Sequence, residues 1–373
     1  MRIGIDARLY GLEHTGIGRY IMEYIEQLRE LEFKHDFVFF VRPEHKSDIP
    51  KHPRFTTIVT DIRHYSLKEQ IEFPRIIHSQ KLDLVHIPHF NVPIFLRTPF
   101  VVTIHDLLWH QITGYNVTTL DPVSYTLKYL GYKLVVNQAI KRAQTIITPS
   151  HAVKNQIIKE FHINSTKITV TYEGVGTTFK QPPTVIKNGI TIKKPFFVYT
   201  GSLYPHKNVG VIIRALKEIN KRASKKVYLV LISSRSIFTE PTRKLAYDLD
   251  QEKYVKFLGF LTDEELLTIY QHAIALVHPS LSEGFGLTGL EAMASGLPVI
   301  ASTSGSLPEV YAEAALYFDP HKPHELAQKM TTLLQNPKLR KSLIQSGLNQ
   351  VKKYSWHKMA RQTLDIYDQA LWN

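Results

Sequence analysis

The residues best suited to chemistry form one run, His278-Pro279-Ser280-Leu281-Ser282-Glu283-Gly284-Phe285-Gly286-Leu287-Thr288-Gly289-Leu290-Glu291-Ala292-Met293-Ala294-Ser295-Gly296-Leu297-Pro298-Val299-Ile300. Its grammar is strand, glycine-rich loop, helix, glycine cap, strand. Gly284, Gly286 and Gly289 let backbone N–H groups come close to a ligand. The following helix turns the positive end of its dipole toward that loop. Such a place suits an anion, phosphate above all. Glu283 stands before the helix and Glu291 eight residues later, one turn inside it. Two carboxylates would repel a phosphate held between them. They make sense if they take hydroxyls, and the vicinal hydroxyls of a sugar are good donors to a carboxylate.

Those residues need strands and helices to hold them. Arg2–Leu9 reads as a strand, and Gly18–Glu30 has helical spacing, with Ile21, Tyr24, Ile25 and Leu28 on one face. Short apolar runs follow at Phe37–Val41, Asp83–Ile87, Phe100–Ile104 and Thr145–Thr148. Buried strands alternating with helices predict a parallel α/β sheet. Gln181 to Pro195, with three prolines and no periodicity, reads as a linker. The pattern then restarts, with strands at Phe196–Thr200, Val227–Ser233, Val255–Leu258, Ala275–His278 and Pro298–Ala301, and helices at Val209–Arg222, Asp263–His272 and Leu287–Ser295. The tail Trp356–Trp372 is amphipathic through Ala360, Leu364, Tyr367 and Leu371. The expected architecture is two doubly wound domains, 1–180 and 195–355, with a closing helix at 356–373. Ligands of such sheets sit beyond the carboxyl ends of the strands, so the expected site is a cleft between facing domains.

Composition narrows the classes. The 373 residues, 43% hydrophobic and 21% charged, are those of a globular protein with a large core. Without cysteine there is no disulfide, thiolate nucleophile or cysteine-held metal. Lys and Arg exceed Asp and Glu by 46 − 33 = 13, which favours anionic partners. The surplus is spread over both halves without a block of five like charges, so no nucleic-acid arm is expected. The first residues lack the apolar run of a signal peptide, and no stretch of spanning length is apolar throughout. The default expectation is a soluble cytoplasmic protein.

The run from Pro279 to Val299 resembles glycosyltransferase family 4, the retaining enzymes of GT-B fold, through its Glu-x7-Glu signature within Pro-Ser-x-x-Glu-Gly-Phe-Gly-Leu and Leu-Glu-Ala-Met-Ala-x-Gly-x-Pro-Val. Further segments are similar to the same family: Val198–Asn208, Val255–Phe260, the helix from Asp263, Val101–Asp106, Tyr172–Val175 and the tail from Trp356. The resemblance implies the GT-B fold, with two Rossmann-like parallel-sheet domains. It also implies transfer of a sugar from a nucleotide-diphosphate donor to an acceptor hydroxyl, with retention at the anomeric carbon. The loop containing Gly201, Ser202 and Lys207 would open the donor site, with Lys207 a point charge on the diphosphate. Where the family commonly has an arginine before that lysine, this chain has His206. Phe285, Gly286, Leu287 and Thr288 would hold the diphosphate, Glu283 the sugar hydroxyls and Glu291 the ribose, and Gly259–Leu261 would flank the base. His105 would point toward the transferred sugar. Gly16 and Gly18, in a loop before the first helix, suit phosphate or acceptor, and Arg19 either adds charge there or is solvated.

The donor implied is GDP-mannose or a UDP-sugar, tilted toward mannose by likeness to mannosyltransferases of bacterial surface polysaccharide synthesis. The acceptor would be a sugar or a lipid-linked sugar. The other readings are a sugar-nucleotide-binding protein of this fold without transferase activity, an epimerase or a phosphorylase. No metal or other cofactor is expected. Asp248-Leu249-Asp250 closes a polar helix, and His86-x-x-His89 has Pro88 between its imidazoles and no third ligand. The stretch from Tyr125 to Lys133, continuing to Arg142, has tyrosines and lysines at helical spacing. It reads either as a helix packed on the first sheet or as a peripheral contact with an acidic membrane.

Overall fold

The computed structural model describes residues 1–111, 121–180, 192–233 and 237–370. Two compact units emerge: Met1–Glu173 with Ser355–Asn373, and Gly174–Tyr354. In the first, β1 (Arg2–Asp6), α1 (Thr15–Glu30), β2 (Asp36–Val41), β3 (Phe55–Val59), α2 (Leu67–Ser79), β4 (Leu84–Ile87), β5 (Phe100–Thr103), α3 (Leu108–Gln111), α4 (Pro122–Arg142), β6 (Thr145–Thr148), α5 (His151–Phe161) and β7 (Ile168–Val170) follow one another. The sheet order is β3-β2-β1-β4-β5-β6-β7, and each pairing is parallel.

The second unit runs β8 (Phe196–Thr200), α6 (Val209–Arg222), β9 (Tyr228–Ile232), α7 (Thr239–Asp248), β10 (Val255–Leu258), α8 (Asp263–His272), β11 (Leu276–His278), α9 (Leu287–Ala294), β12 (Val299–Ser302), α10 (Leu307–Tyr311), β13 (Ala315–Phe318), α11 (Pro323–Gln335) and α12 (Pro337–Val351). Its sheet order is β10-β9-β8-β11-β12-β13, again parallel. Both sheets are buried on their two faces by helices, so their strands are continuous apolar runs rather than alternating ones. Strand order reverses between β1 and β4 and between β8 and β11. Chains leaving those neighbours turn to opposite faces and open a crevice at their carboxyl ends.

The closing helix α13 (Trp356–Ala370) belongs to the first unit. The Tyr24 hydroxyl donates to the Tyr367 hydroxyl at 2.8 Å, and Tyr367 meets Nδ1 of His86 at 2.6 Å. Nε2 of His86 meets Thr103 Oγ1 at 2.8 Å. Burial pushes His86 down to about 3, so the ring is neutral and serves as a hydrogen-bond link. Leu371 and most of the 181–195 linker lie outside the described residues. The first unit ends at Glu173, ahead of the expected 180, because Phe179 is fully buried and its ring lies 6.4 Å from that of Tyr270 in α8.

At the β1/β4 crevice a buried ion cluster ties three loops together. The Arg8 guanidinium, fully buried, donates to both oxygens of Asp6 at 2.8 and 2.7 Å, to Glu69 Oε1 at 2.8 Å and to Ile62 O at 3.1 Å. It lies 3.7 Å over the Phe73 ring. Glu69 Oε2 accepts from Tyr65 N and Asn91 Nδ2, both at 2.6 Å. Burial works to raise the Asp6 carboxyl, but Arg8 outweighs it and holds the group well below the carboxylate range. Removing one partner of a buried ion pair strands the other, at about 3–5 kcal/mol. Glu69→Ala should therefore destabilise the first unit by about that much. Tryptophan fluorescence during chemical unfolding reads this directly, because Trp356 is buried in this unit and 174–354 contains no tryptophan. An unchanged midpoint would show that the cluster is not structural.

Candidate active site

In the second unit the candidate residues collect at the β8/β11 crevice. The chain leaving β8 forms the loop Gly201–Asn208, and the chain leaving β11 forms the loop Pro279–Gly286. The two are fastened together. Leu281 N donates to His206 O at 2.8 Å. Asn208, in the left-handed region at φ 53°, donates through Nδ2 to Pro279 O at 3.2 Å and Pro320 O at 2.8 Å. Ser302 Oγ donates to Ser280 O at 2.6 Å, and Ser306 holds Glu283 O through both N and Oγ at 3.1 Å. Gly305 has φ 59°, and a Cβ there would lie 2.5 Å from Glu283 O. The Glu283 backbone is thus fixed from β12 and from the loop after it.

Lys207 and Glu283, 76 residues apart, meet as a result: Nζ donates to Oε1 at 2.6 Å. The same oxygen accepts from Ser280 Oγ at 2.7 Å and faces His278 Nε2 at 3.0 Å. Burial works to raise this carboxyl. The charge of Lys207 and the bond from His278 outweigh it and hold Glu283 well below the usual range. All three contacts converge on Oε1, and Oε2 accepts no hydrogen bond among the described residues. The ionised Glu283, 14% exposed, therefore keeps one oxygen for an external donor. Beside it His206 is pushed down to about 4, first by burial and then by Lys207. The place where the family commonly carries an arginine holds a neutral imidazole at pH 7.

His278 continues the chain of contacts. Its Nδ1 lies 2.8 Å from the Tyr311 hydroxyl, which donates to Gly286 O at 2.6 Å. The carbonyl of Gly286 and the N–H of Leu287 share one peptide plane and point oppositely. By holding that carbonyl, Tyr311 fixes the direction of the first amide of α9. Leu287 and Thr288 open the helix, where N–H groups lack intrahelical acceptors.

The glycines of this turn serve packing more directly than sequence reasoning supposed. A Cβ on Gly289 would lie 2.2 Å from Tyr311 Oη, and one on Gly286 (φ 102°) 2.6 Å from it. Their missing side chains leave room for the Tyr311 ring. Phe285 is buried and meets the Tyr354 ring edge-on at 5.5 Å, so its side chain is core. Glu291 is buried within α9. Gly201 has φ 142°, and the Tyr199 hydroxyl donates to Ser202 O at 2.5 Å, shaping the loop before Lys207. His278, Ser280 and Asn208 lie within the segments singled out from sequence but carried no assigned role there, and Tyr311 lies outside them. The only sequence signal for Tyr311 was the pair of glycines that accommodates it.

In the first unit, Gly16 and Gly18 do not lie in a loop, because α1 begins at Thr15. A Cβ on Gly18 would fall 1.8 Å from Gly11 O, so this glycine admits a neighbouring loop. Gly16 has open space. His105 uses both ring nitrogens, at 3.2 Å from Pro88 O and 3.3 Å from Glu173 Oε1. His89 meets the Tyr65 hydroxyl at 3.2 Å and His86 meets Thr103, and neither belongs to a metal-ligating group among the described residues.

Residues 14–179 match the family model described as Glycosyltransferase Family 4, and 181–350 match that described as Glycosyl transferases group 1. The chain belongs to glycosyltransferase family 4. It is a glycosyltransferase. It is 28% identical to the O-antigen chain mannosyltransferase B of Escherichia coli over 376 residues, 95% of this chain and 96% of that one. Two solved structures share the fold. Sucrose-phosphate synthase of Thermosynechococcus elongatus has a TM-score of 0.77 at 20% identity, covering 99% of this chain and 98% of that one. HepE of Anabaena, solved with UDP-glucose, has a TM-score of 0.73 at 17% identity, covering 99% of each. In this glycosyltransferase the fixed cation, the half-open carboxylate and the helix start stand on three successive pieces of one crevice.

Tyr311→Phe removes the proton given to the buried Gly286 carbonyl, and the second unit should lose about 1–3 kcal/mol. Urea unfolding followed by circular dichroism measures this, and an unchanged midpoint would mean that the hydroxyl does not hold the turn. A carboxyl depressed in the folded state gives stability that is complete above its unfolded value, about 4.3, and lost as pH falls through the folded value. The thermal advantage of the wild type over Glu283→Gln should therefore persist from about pH 7 to pH 5 and shrink below about pH 4. A gap that widens on acidification would contradict the assigned charge.

Proposed function

We propose that this enzyme transfers a hexosyl group, mannose favoured, from a nucleotide-diphosphate sugar to an acceptor hydroxyl with retention of anomeric configuration, in polysaccharide or glycolipid synthesis. The observation that carries the reading is the Lys207–Glu283 contact at 2.6 Å, with Glu283 Oε2 left open beside the start of α9. The E. coli relative named a mannosyltransferase supports the sugar, and HepE with UDP-glucose supports a nucleotide-sugar donor.

In this reading the bond from the anomeric carbon to the diphosphate oxygen breaks, and negative charge gathers on the leaving group. Lys207 has two ammonium protons beyond the one given to Glu283, and the amides of Leu287 and Thr288 face the same charge. Donors fixed in advance need no reorganisation when that charge appears. The acceptor oxygen bonds on the face that the leaving group vacates, and its proton passes to the departing phosphate, so no protein base is needed. Glu283 Oε2 takes a hydroxyl of the transferred sugar, Glu291 takes the ribose, and His105 lies toward the sugar. Because Lys207 and the helix start carry the counter-charge, the mechanism calls for no metal or other cofactor.

The donor is GDP-mannose or a UDP-sugar, the acceptor a sugar or lipid-linked sugar, and the place of action the cytoplasm or the inner membrane face. No described helix is long and apolar enough to cross a membrane.

Thermal-shift screening against GDP-, UDP-, ADP- and dTDP-sugars should pick out one base, because a ligand that binds only the folded state raises the midpoint. Transfer to a sugar acceptor, with the product anomer read by NMR, tests retention. Lys207→Ala should lower kcat on the order of 10²–10³-fold. Glu283→Ala should chiefly lower turnover, and Glu291→Ala should raise the KM for donor. If all three keep wild-type kinetics, the site is elsewhere. Donor binding without transfer to any acceptor would favour a binding protein instead.

A further inference from the structure

The loop between β3 and α2 carries a residue in a costly conformation. Tyr65 has φ 62°, in the left-handed region. A bulky side chain is rarely found there, and such strain concentrates where function uses it. The surroundings hold it in place. Ser66 caps α2 by accepting from Glu69 N at 3.1 Å, and its hydroxyl donates to Arg63 O at 2.8 Å. Tyr65 N donates to Glu69 Oε2 at 2.6 Å, so the buried ion cluster gives one carboxylate bond to this amide. A backbone fixed in this way aims its side chain, and the ring it aims is open. Tyr65 is 68% exposed.

Only the tip of the ring is tied down. Its hydroxyl lies 3.2 Å from Nε2 of His89, in the loop after β4. His89 Nδ1 accepts from Asn91 N at 3.3 Å. Burial first, then His64 and His105, lowers His89 well below its ordinary range, so the imidazole is neutral at pH 7. With Nδ1 accepting, the one ring proton sits on Nε2 and goes to the Tyr65 oxygen. The phenol proton then has no acceptor among the described residues and is available to a ligand. Burial of the hydroxyl end, then Glu69 and Asp106, raises this phenol, so it keeps that proton. Asp106, in the segment after β5, is the third group. Its Oδ1 accepts from Leu108 N at 3.0 Å, and its Oδ2 accepts no hydrogen bond among the described residues.

An open aromatic face with a donor and an acceptor near its edge has the chemistry of a sugar subsite. One face of a pyranose is a patch of C–H bonds, whose positive polarity suits the negative face of an aromatic ring. The hydroxyls around that patch both give and take hydrogen bonds. A lipid chain or an apolar protein segment would cover the phenol proton and the Asp106 oxygen without pairing them, at a cost. A phosphate would meet Glu69 and Asp106, while Arg8 is buried and already paired with Asp6 and Glu69.

We propose that Tyr65 is the platform for an acceptor sugar: a pyranose lies on its exposed face, takes the phenol proton on one oxygen and gives a hydroxyl proton to Asp106. Calling this sugar the acceptor rests on the transfer reading above, whereas the sugar site itself does not.

The test is saturation-transfer NMR on the full-length protein, without donor, using methyl α-mannoside, methyl β-glucoside and methyl β-galactoside as probes. At least one should show transfer to its ring C–H protons. Tyr65→Gly removes the platform at a backbone position that glycine adopts freely. It should weaken probe binding about tenfold, while the melting temperature holds or rises because the strain is gone. Tyr65→Phe keeps the aromatic face and should weaken binding less. In the transfer assay Tyr65→Gly should raise the KM for acceptor and leave the thermal shift given by donor unchanged. No signal from the wild type with any probe, undiminished binding by Tyr65→Gly, or binding lost together with the fold overturns the proposal. Tyr65-dependent sugar binding in a protein that transfers to no acceptor would instead sink the transfer reading and leave the subsite standing.

Discussion

Two charges of opposite sign, carried by loops 76 residues apart, must meet at 2.6 Å for the candidate site to exist. Neither loop could hold its charge alone. A lysine in the loop after β8 and a glutamate in the loop after β11 become neighbours only because these strands lie side by side, with chain direction diverging between them. The parallel sheet supplies that adjacency. The side-chain-to-backbone bonds from Asn208, Ser302 and Ser306 supply the last ångström. Partly buried ions without such fixing would relax toward water, since desolvation of each is costly and is repaid only by good geometry.

The turn between β11 and α9 answers a second constraint. An anion site at a helix start needs amides whose direction does not drift. Here the direction is set from the carbonyl side of the peptide, by a tyrosine from α10. That ring can reach Gly286 O only because positions 286 and 289 lack a Cβ. Glycine thus acts indirectly, by letting an orienting side chain in, as well as by leaving the outer surface of the turn bare. The network from Gly286 O through Tyr311 and His278 to Glu283 ties the helix start to the carboxylate, so a displacement of one strains the other.

Local patterns made much of this legible. The alternation of short apolar runs with helical spacing foretold two parallel sheets, and the Pro279–Val299 run marked the candidate loop and its two glutamates. What stayed hidden depends on contacts between distant residues. β3, with its mixed Phe-Thr-Thr-Ile-Val, and the three-residue β7 are edge strands too polar or too short to register as periodicity. The α1 start was misplaced because glycines signal a loop locally, while Gly18 is in fact the point where Gly11 O presses on the helix. Tyr311 carries no local mark, since its role exists only once α10 lies under α9. The contacts of His105 with Pro88 O and Glu173 are tertiary ones that no spacing encodes.

The two crevices follow one topological rule yet differ in hydrogen-bond capacity, and that difference assigns their roles. At β1/β4 the carboxylates are saturated: Asp6 gives both oxygens to Arg8, while Glu69 gives one to Arg8 and the other to Tyr65 N and Asn91. A ligand arriving there finds ions already satisfied, so the cluster is a clamp. At β8/β11 the donors converge on one oxygen of Glu283, and the ammonium of Lys207 has protons to spare. An ionised carboxylate with one free oxygen can accept a hydroxyl, and a cation with free protons can meet a phosphate. A nucleotide-sugar carries both groups a few ångströms apart. The second unit therefore holds unsatisfied hydrogen-bond capacity of the kind that the proposed donor needs, whereas the first spends its buried charges on its own architecture.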